Sequence, residues 1–327
     1  MAREPGTRLD RYELLAHLAD GAQAEVHRAR DIRTGEIVAI KIPHQRVLQN
    51  PELARRWRRE LALTEGLVHP HLACRHAVDG RHSEPYLVLD YAGGGSLDNR
   101  VAPGMAPLPI GHVIEWLRQL AQALAHLHAA GIVHGDVKTA NLLLTDDLDL
   151  KLGDYGAATA DRRARWWDLP TPPEGTPEYL SPEQVLGRAP DARSDIYSWG
   201  VVAYELLTGQ VPLTGRSPLA AMEAQLSGVV SPISAHRPEV PPGLEAVVRR
   251  SLRRLPDDRY PDVEALQHDL DELDRVDLPR HHLSPDPPLA GVVGGSPTPA
   301  LLRLVAVTTT ACLTVAAAAI ALTALLH

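Results

Sequence analysis

The sequence of 327 residues contains no phenylalanine and almost no lysine. Only three of its 33 basic residues are lysines, Lys41, Lys138 and Lys151, and the rest are arginines. Because arginine serves almost everywhere else, these lysines are candidates for positions that need a compact ammonium group. The only cysteines are Cys74 and Cys312, which excludes a disulfide framework and favours a reducing compartment.

The sequence also lacks an excess of basic residues. The formal charge is -8 and the isoelectric point is about 6.0, so nucleic acid is not expected as a partner. Residues 1–10 carry charges without an apolar run, so no secretory signal is expected. The sixteen histidines show no metal-ligand spacing, and His126 and His128, two apart on a predicted helix, are interpreted as structural. Apolar residues make up 44% of the chain, which is enough to bury a core.

The chain divides into a β-rich part and a helical part. Short runs at 12–18, 25–29, 37–42 and 86–89, with one charged helix at about 51–67, predict a small antiparallel sheet. After the glycines at 93–95, helical periodicity begins at Val113 and continues to about Leu273. Two lobes of this kind enclose a cleft, where ligands commonly bind.

The stretch 304–326 is 23 residues long and contains no charge, Asn, Gln, Gly or Pro. As a helix it extends about 35 Å, which is enough to cross a hydrocarbon core. Ala and Thr fill thirteen of its positions, so a buried or aggregation-prone tail is the alternative. Arg280 and Arg303 precede the stretch and only His327 follows it, so the positive-inside rule places the large domain in the cytoplasm and the C-terminus on the far side of the cell membrane. The predicted divisions are a lead at 1–11, a small lobe with its hinge at 12–92, a large lobe at 93–276, a Pro/Gly-rich linker at 277–300 and a single transmembrane helix at 301–326.

A lysine and a glutamate in the small lobe suit the binding of phosphate. Lys41 follows the apolar run 38–40, where its ammonium could neutralise phosphate oxygens, and Glu60 on the next helix could hold it in place. For each residue taken alone, an ordinary solvated charge is the favoured interpretation. The pair therefore indicates phosphate binding only if the sequence also contains other residues suited to phosphate chemistry.

The segment His134–Asn141, directly before an apolar strand at 142–144, supplies that chemistry. Asp136 could accept a proton from a hydroxyl, and Lys138 could steady a phosphoryl group during transfer. Asn141 and, further along the chain, Asp154 offer an amide and a carboxylate oxygen, which are ligands suited to Mg²⁺. These residues together predict phosphoryl transfer.

Three further segments complete a set of ordered motifs. Residues 175–183 read Gly-Thr-Pro-Glu-Tyr-Leu-Ser-Pro-Glu, residues 195–200 read Asp-Ile-Tyr-Ser-Trp-Gly, and Arg259 lies in Asp-Asp-Arg-Tyr. With the segments above, residues 8–275 resemble the protein kinase family, and most of all the eukaryotic-like Ser/Thr kinases of bacteria. The resemblance implies an α+β, two-lobed kinase fold that uses ATP and Mg²⁺. It also implies that 175–183 ends an activation segment, that 195–200 lies on a buried central helix and that Arg259 pairs with Glu183.

The resemblance assigns roles to individual residues. Asp136 is implied as the catalytic base with Lys138 beside it, and Asn141 and Asp154 are implied as the metal ligands. Lys138 together with Thr176 resembles the Ser/Thr-specific pattern, so the expected partners are proteins with Ser or Thr acceptors. The implied nucleotide-binding residues, with Leu89 as gatekeeper and 90–92 as hinge, are Leu18, Gly21, Val26, Ala39, Lys41, Glu60, Leu89, Asp90, Ala92 and Leu143.

Two segments depart from the family pattern. Residues 19–26 keep only the second glycine of the phosphate-covering loop, and Asp20 adds a like charge near the phosphates. Gly135 replaces an arginine that, in the family, pairs with a phosphate on the activation segment. We therefore expect activity to depend little on modification of Thr159 or Thr171.

Two alternatives stay open. A membrane-anchored pseudokinase or nucleotide-binding scaffold is favoured by the eroded glycine loop and opposed by the retained polar residues. A small-molecule phosphotransferase shares His-Gly-Asp followed five residues later by Asn, but not the segment 175–183. Tyr155 in place of the usual Phe says little, because the chain avoids Phe everywhere. The preferred interpretation is a Ser/Thr protein kinase held at the lipid bilayer by 304–326, where tethering would also favour self-association.

Overall fold

The computed structural model of the chain describes residues 3–21, 23–64, 66–78, 85–105, 107–154 and 177–276, with the backbone alone at 56, 59, 60, 63, 64 and 74–78. These residues form a small lobe built on a β-sheet and a large lobe built mainly of helices. The expected α+β, two-lobed architecture is therefore confirmed.

The small lobe is built on a six-stranded antiparallel sheet with the strand order β1-β2-β3-β4-β6-β5. Alternate residues of β4, Val38, Ile40 and Ile42, are buried in the core of this sheet. Because side chains alternate along a strand, Lys41 lies on the opposite face. The strands are β1 Arg8–Leu9, β2 Tyr12–Asp20, β3 Ala24–Asp31, β4 Ile37–Pro43, β5 Cys74–Val78 and β6 Tyr86–Asp90.

The small lobe contains two helices, α1 Gln45–Gln49 and α2 Pro51–Thr64, where the sequence predicted one. The side chain of Asn50 accepts hydrogen bonds from the N–H groups of Glu52 and Leu53 at 3.0 and 3.2 Å, so α2 begins directly after it. Trp57 and Leu61 are buried on one face of α2 and join the main core. The additional helix α1 has only five residues, which is too short to show a helical period in the sequence.

Three consecutive glycines join the lobes. A Cβ at Gly93 would lie 2.1 Å from the carboxylate of Asp146, and a Cβ at Gly94 would lie 2.8 Å from the carbonyl oxygen of Thr145. Gly95 has a φ of +74°, in the region that disfavours other residues. The connector needs glycine because it passes directly against the turn at 145–146.

A second sheet of three strands carries the segments that the sequence marked for chemistry. Its strands, in spatial order, are β7 Gly95–Ser96, β8 Leu142–Leu144 and β9 Leu150–Leu152. Strand β9 is also bonded to the small lobe, because Leu152 donates its N–H to His71 O and accepts from Ala73 N–H, both at 2.9 Å. The two lobes therefore share backbone hydrogen bonds beside the cleft.

Helix α6 is the centre of the large lobe. It is buried along almost its whole length, which confirms the predicted central helix, and Asp191 caps it by accepting the N–H of Arg193 at 2.8 Å. Trp199 of α6 donates its indole N–H to Leu117 O of α4 at 3.0 Å. The helices of this lobe are α3 Asp98–Val101, α4 Ile110–Ala129, α5 Pro182–Val185, α6 Ala192–Thr208, α7 Pro218–Ser227, α8 Pro242–Ser251 and α9 Val263–Asp271.

Several predictions fall outside the described residues. They concern the linker at 277–300, the transmembrane helix at 301–326, and the side chains of Tyr155, Thr159, Thr171 and Thr176. Among the residues that the structure describes, no helix combines the length and apolar character needed to cross a membrane.

Candidate active site

Three polar side chains between α4 and β8 are in direct contact. Lys138 Nζ lies 2.8 Å from Asp136 Oδ2, and Asn141 Nδ2 donates to Asp136 Oδ2 at 3.1 Å and to Asp136 O at 2.8 Å. Asn141 ends a short 3-10 turn directly before β8, which fixes its position. The sequence spacing therefore becomes one hydrogen-bonded cluster around the carboxylate of Asp136.

A buried carboxylate holds the backbone of this segment. Asp195 of α6 accepts the N–H groups of His134 and Gly135 at 2.9 and 2.8 Å, and its Oδ2 lies 2.8 Å from His128 Nε2. Burial by itself would raise the pKa of Asp195, but the hydrogen bond and charge of His128 hold that pKa below its ordinary value. Gly135 has a φ of +77°, which allows consecutive N–H groups to meet one carboxylate. The contact of His128 confirms a structural role for this histidine.

Lys41 extends from the small lobe to the large one. Its Nζ lies 3.2 Å from Asp154 Oδ1 and 5.5 Å from the ring centroid of Trp57, which is within the range of a cation–π contact. Asp154 has a φ of +58°, a conformation that non-glycine residues seldom adopt and that is common at functional sites. Glu60, the expected partner of Lys41, lies on α2, and its side chain is outside the described part of the chain.

The two expected metal ligands are connected through the backbone. Gly153 donates its N–H to Asn141 O at 2.9 Å, and Gly153 O lies 3.1 Å from His134 Nε2. Asn141 uses its Nδ2 on Asp136, so its amide oxygen is the atom that would bind a cation, and the side chain of Asp154 is 51% exposed. Two hard oxygens fit Mg²⁺, which binds few protein ligands and completes its shell with water and phosphate. Within the described ranges, no group of three or more His, Cys, Asp or Glu side chains could hold a metal ion.

The expected adenine site lies where β4 and β6 approach the connector. Ala39 of β4 is paired with Leu89 of β6, and Asp90 ends β6. Asp90 donates its N–H to Ala73 O at 2.7 Å, which ties the end of β6 to the residues before β5. Ala92 follows in the connector.

The other predicted nucleotide-binding residues lie on neighbouring strands. Leu18 is on β2 and 45% exposed, Val26 is on β3 opposite Lys41, and Leu143 is on β8 opposite Lys151. Gly21 lies between β2 and β3. Their contact with adenine stays a prediction.

A comparison of the sequence with family models agrees with this fold and with the contacts of Asp136 and Lys41. The model described as the protein kinase domain matches residues 12–270. The chain belongs to the protein kinase family.

Three relatives of this kinase are similar over most of its length. A probable serine/threonine-protein kinase of Streptomyces coelicolor is 36% identical over 273 residues, which are 82% of this chain and 40% of the relative. The serine/threonine-protein kinase PknB of Mycolicibacterium smegmatis is 36% identical over 80% of this chain and 42% of its own length. The serine/threonine-protein kinase PknL of Mycobacterium tuberculosis is 37% identical over 80% of this chain and 65% of its own length. The chain thus covers less than two thirds of each of these relatives.

The loop of the kinase that has lost glycines is held by a histidine. Gly21 donates its N–H to Ala24 O at 2.9 Å. His44 Nε2 lies 2.8 Å from Gly21 O and 3.1 Å from Asp20 Oδ1, and the N–H of His44 donates to Gln23 O at 2.9 Å. The loop is therefore tied to the residue that follows β4, and the carboxylate of Asp20 has a polar partner.

A buried ion pair fixes the kinase segment that precedes α6. Arg259 donates to both carboxylate oxygens of Glu183 at 2.7 and 2.8 Å, which confirms the expected pairing. Burial alone would raise the pKa of Glu183, but the hydrogen bonds and charge of Arg259 bring it below the ordinary value. The carboxylate is therefore ionised and fixed at neutral pH.

The same segment rests directly on the cluster around Asp136. Gln184 Nε2 donates to Gly135 O at 3.0 Å, and the hydroxyls of Tyr179 and Thr139 lie 2.9 Å apart. The hydroxyl of Tyr179 also donates to Glu205 of α6. Hydrogen bonds between uncharged groups thus join the segment 179–184 to the segment 135–139. Gly135 stands there in place of the arginine that the family usually has.

Sequence reasoning missed the contacts between residues that are far apart in the chain. The partners His128 and Asp195, and the partners His44 and Asp20, carry no local pattern that links them. The scarcity of lysine did mark Lys151, although it gave no role for that residue.

Proposed function

We propose that this kinase transfers the γ-phosphate of MgATP to Ser and Thr hydroxyls of proteins. The observation that carries the proposal is the placement of one carboxylate, Asp136, between Lys138 and Asn141, beside a segment that ends at Asp154 and its partner Lys41. These are the proton acceptor, the phosphate cations and the metal ligands that phosphoryl transfer requires.

Asp136 is the group that accepts the proton. Oδ2 is engaged by Lys138 and Asn141, and among the described residues no hydrogen bond is directed to Oδ1, which is therefore available to an acceptor hydroxyl. As the hydroxyl oxygen bonds to the γ-phosphorus, its proton passes to Asp136 and the bond between that phosphorus and the bridging oxygen breaks, releasing ADP. Lys138 is close enough to neutralise charge on the phosphoryl group during transfer.

The phosphates are the part of ATP that Lys41, Asn141 and Asp154 would bind. Mg²⁺ held by Asn141 and Asp154 would neutralise phosphate charge when it is bound. Lys41, whose ammonium already lies at Asp154, would contact the phosphate oxygens from the side of the small lobe.

The choice of Ser and Thr over Tyr rests on resemblance. Lys138 and Thr176 follow the Ser/Thr pattern, and the relatives with 36–37% identity are named as serine/threonine kinases. We propose further that 304–326 anchors the kinase as a single-pass helix, with its catalytic domain on the cytoplasmic side and with self-association favoured by the shared surface. The uncharged, 23-residue composition of that stretch supports the anchor.

Phosphate transfer by the full chain in detergent tests the reaction. With labelled MgATP and a Ser/Thr-containing protein acceptor, we expect the wild type to incorporate label and Asp136→Asn to be slower by about 10²- to 10⁴-fold, because the general base is lost. Asp147→Asn, at an exposed turn, is the matched control and should retain the wild-type rate.

Equal incorporation by the wild type and Asp136→Asn would refute the proposal. If both proteins bind MgATP in calorimetry and neither transfers phosphate, the chain is a nucleotide-binding scaffold instead. The eroded glycine loop is the observation that favours this second function.

A further inference from the structure

The third lysine of the chain takes no part in the proposed reaction, yet it makes a shielded ion pair. Lys151 lies on β9, and its Nζ is 2.8 Å from Asp90 Oδ2 at the end of β6. The two side chains are only 16% and 19% exposed. A pair shielded to this extent is weakly screened by salt, and removing one partner leaves the other charge poorly solvated.

Lys151 closes a ring of hydrogen bonds between the lobes. Asp90 donates its N–H to Ala73 O at 2.7 Å, and Ala73 donates its N–H to Leu152 O at 2.9 Å. The side chain of Lys151, the neighbour of Leu152, then returns to Asp90. The end of β6, the residues before β5 and strand β9 are thus fixed relative to one another.

Asp90 in this ring and Asp154 beside it both have proposed binding roles. Asp90 ends β6 and begins the hinge, which is the proposed adenine site. Asp154 follows Leu152 by two residues and pairs with Lys41. The ring therefore sets the distance between the hinge and the segment that meets the phosphates.

Among the described residues, Asp90 is the carboxylate that pairs with Lys151. The ring of His71 bonds to Leu150 O through Nδ1 at 3.0 Å, and the rings of His69 and His126 stack at 5.0 Å. Burial and the charges of His126, His71 and Lys151 lower the pKa of His69. His69 is consequently neutral at physiological pH and does not compete as a cation for the carboxylate.

We propose that Lys151 is a positioning residue for nucleotide binding, which holds Asp90 so that the start of the hinge keeps a fixed distance from the phosphate-binding segment. The inference rests on the proposed function, because it takes the hinge as the adenine site. It accounts for all three lysines of the chain: two contact the phosphates and the third positions the base.

Lys151→Met tests this role, because it keeps a long unbranched side chain and removes the charge. We expect KM for MgATP to rise about tenfold while kcat changes less than about twofold, since adenine is bound equally in the ground state and the transition state. Asp90→Asn should give a similar rise. The double variant should be no weaker than either single variant, because all three lack the same interaction.

Arg118→Gln is the matched control. Arg118 pairs with Asp271 at the same distance of 2.8 Å, but on the exposed surface of the large lobe. This variant should leave KM for MgATP unchanged, because surface ion pairs contribute little.

Two results would overturn the proposal: an unchanged KM in Lys151→Met, or additive effects in the double variant. An unchanged KM together with a lower melting temperature is the result expected of a residue that only stabilises the fold. The dissociation constant of MgATP, measured by calorimetry, separates this inference from the proposed reaction. If the wild type binds MgATP without transferring phosphate, the reaction is wrong, and a tenfold weaker binding by Lys151→Met still supports the positioning role.

Discussion

His44 gives Asp20 a partner in the loop 19–26, which is proposed to cover the phosphates. A carboxylate beside the phosphates of ATP is unfavourable because like charges repel. His44 Nε2 approaches both the Asp20 carboxylate and the carbonyl oxygen of Gly21, at 3.1 and 2.8 Å. This contact ties the loop to the end of β4, so the loop does not depend on three glycines for its conformation.

Replacing His44 with Ala should therefore weaken binding of MgATP. We expect KM to rise about three- to tenfold, because a hydrogen bond to a charged group is lost and Asp20 is released. Initial rates over a series of ATP concentrations measure the change. Adding Asp20→Asn to His44→Ala should recover part of the loss, and His268→Ala on the exposed face of α9 is the control. A KM for His44→Ala equal to that of the wild type would show that the loop needs no such support.

Contacts between residues that are close in the sequence were predictable, and contacts between residues that are far apart in the sequence were not. Asp136, Lys138 and Asn141 lie within six positions, so one turn of the chain brings them together and the sequence reveals the cluster. Asp195 meets His128 across 67 positions, and Lys151 meets Asp90 across 61. Such pairs depend on how whole elements pack, which no local pattern records.

At the scale of elements, the N-terminal end of α6 contacts both the backbone before Asp136 and Glu183 of α5. Asp195 in its first turn holds the backbone before Asp136, and Ser194 donates its hydroxyl to Glu183 Oε1 at 2.6 Å. Arg259 bonds to Glu183 and also donates to Arg193 O at 2.8 Å. The ion pair of Glu183 and Arg259 therefore links α5 to the N-terminal end of α6.

Glu183→Gln should lower the free energy of unfolding at pH 7 by about 3 kcal/mol, because it leaves the buried charge of Arg259 without its carboxylate. The folded-state pKa of Glu183 lies below its ordinary value of 4.5. Its stabilising contribution is therefore complete above about pH 4.5 and is lost as the pH falls through the folded-state pKa. Urea unfolding at several pH values should show the difference between wild type and variant shrinking below that point.

Glu272→Gln is the control for this measurement. Glu272 forms an exposed pair with Arg275, and its loss should cost less than about 0.5 kcal/mol. A difference between wild type and Glu183→Gln that does not change with pH would contradict the assigned role of the ionised carboxylate.

Long elements with a clear period were predicted, as was the short apolar strand β8, but β1, β5 and β7 were not. Helices α4 and α6 and strands β2 to β4 show their apolar pattern over seven or more residues. Strands β1 and β7 have only two residues each, and β5 reads Cys-Arg-His-Ala-Val, without a regular alternation. These strands form because neighbouring strands offer free hydrogen-bonding groups, which is a tertiary effect.

At the scale of the whole molecule, the charged residues all lie before position 304, and an uncharged apolar stretch follows them. The net charge of -8 gives the kinase no general attraction to an anionic lipid surface. The stretch 304–326 has no charge at all. The proposed anchor would therefore act through burial of this stretch in hydrocarbon rather than through electrostatic adsorption.

Deletion of Leu304–His327 should accordingly release the kinase from membranes. We expect the full chain to sediment with membranes and to stay there after washes with high salt, because burial of apolar residues is not screened. The truncated chain should remain in the supernatant with its rate on a soluble protein acceptor unchanged. Deletion of 278–299, a linker segment of similar length, is the control and should leave the protein in the membrane fraction. Continued sedimentation of the truncated chain after salt washing would contradict the anchor and would place the membrane contact within the kinase domain itself.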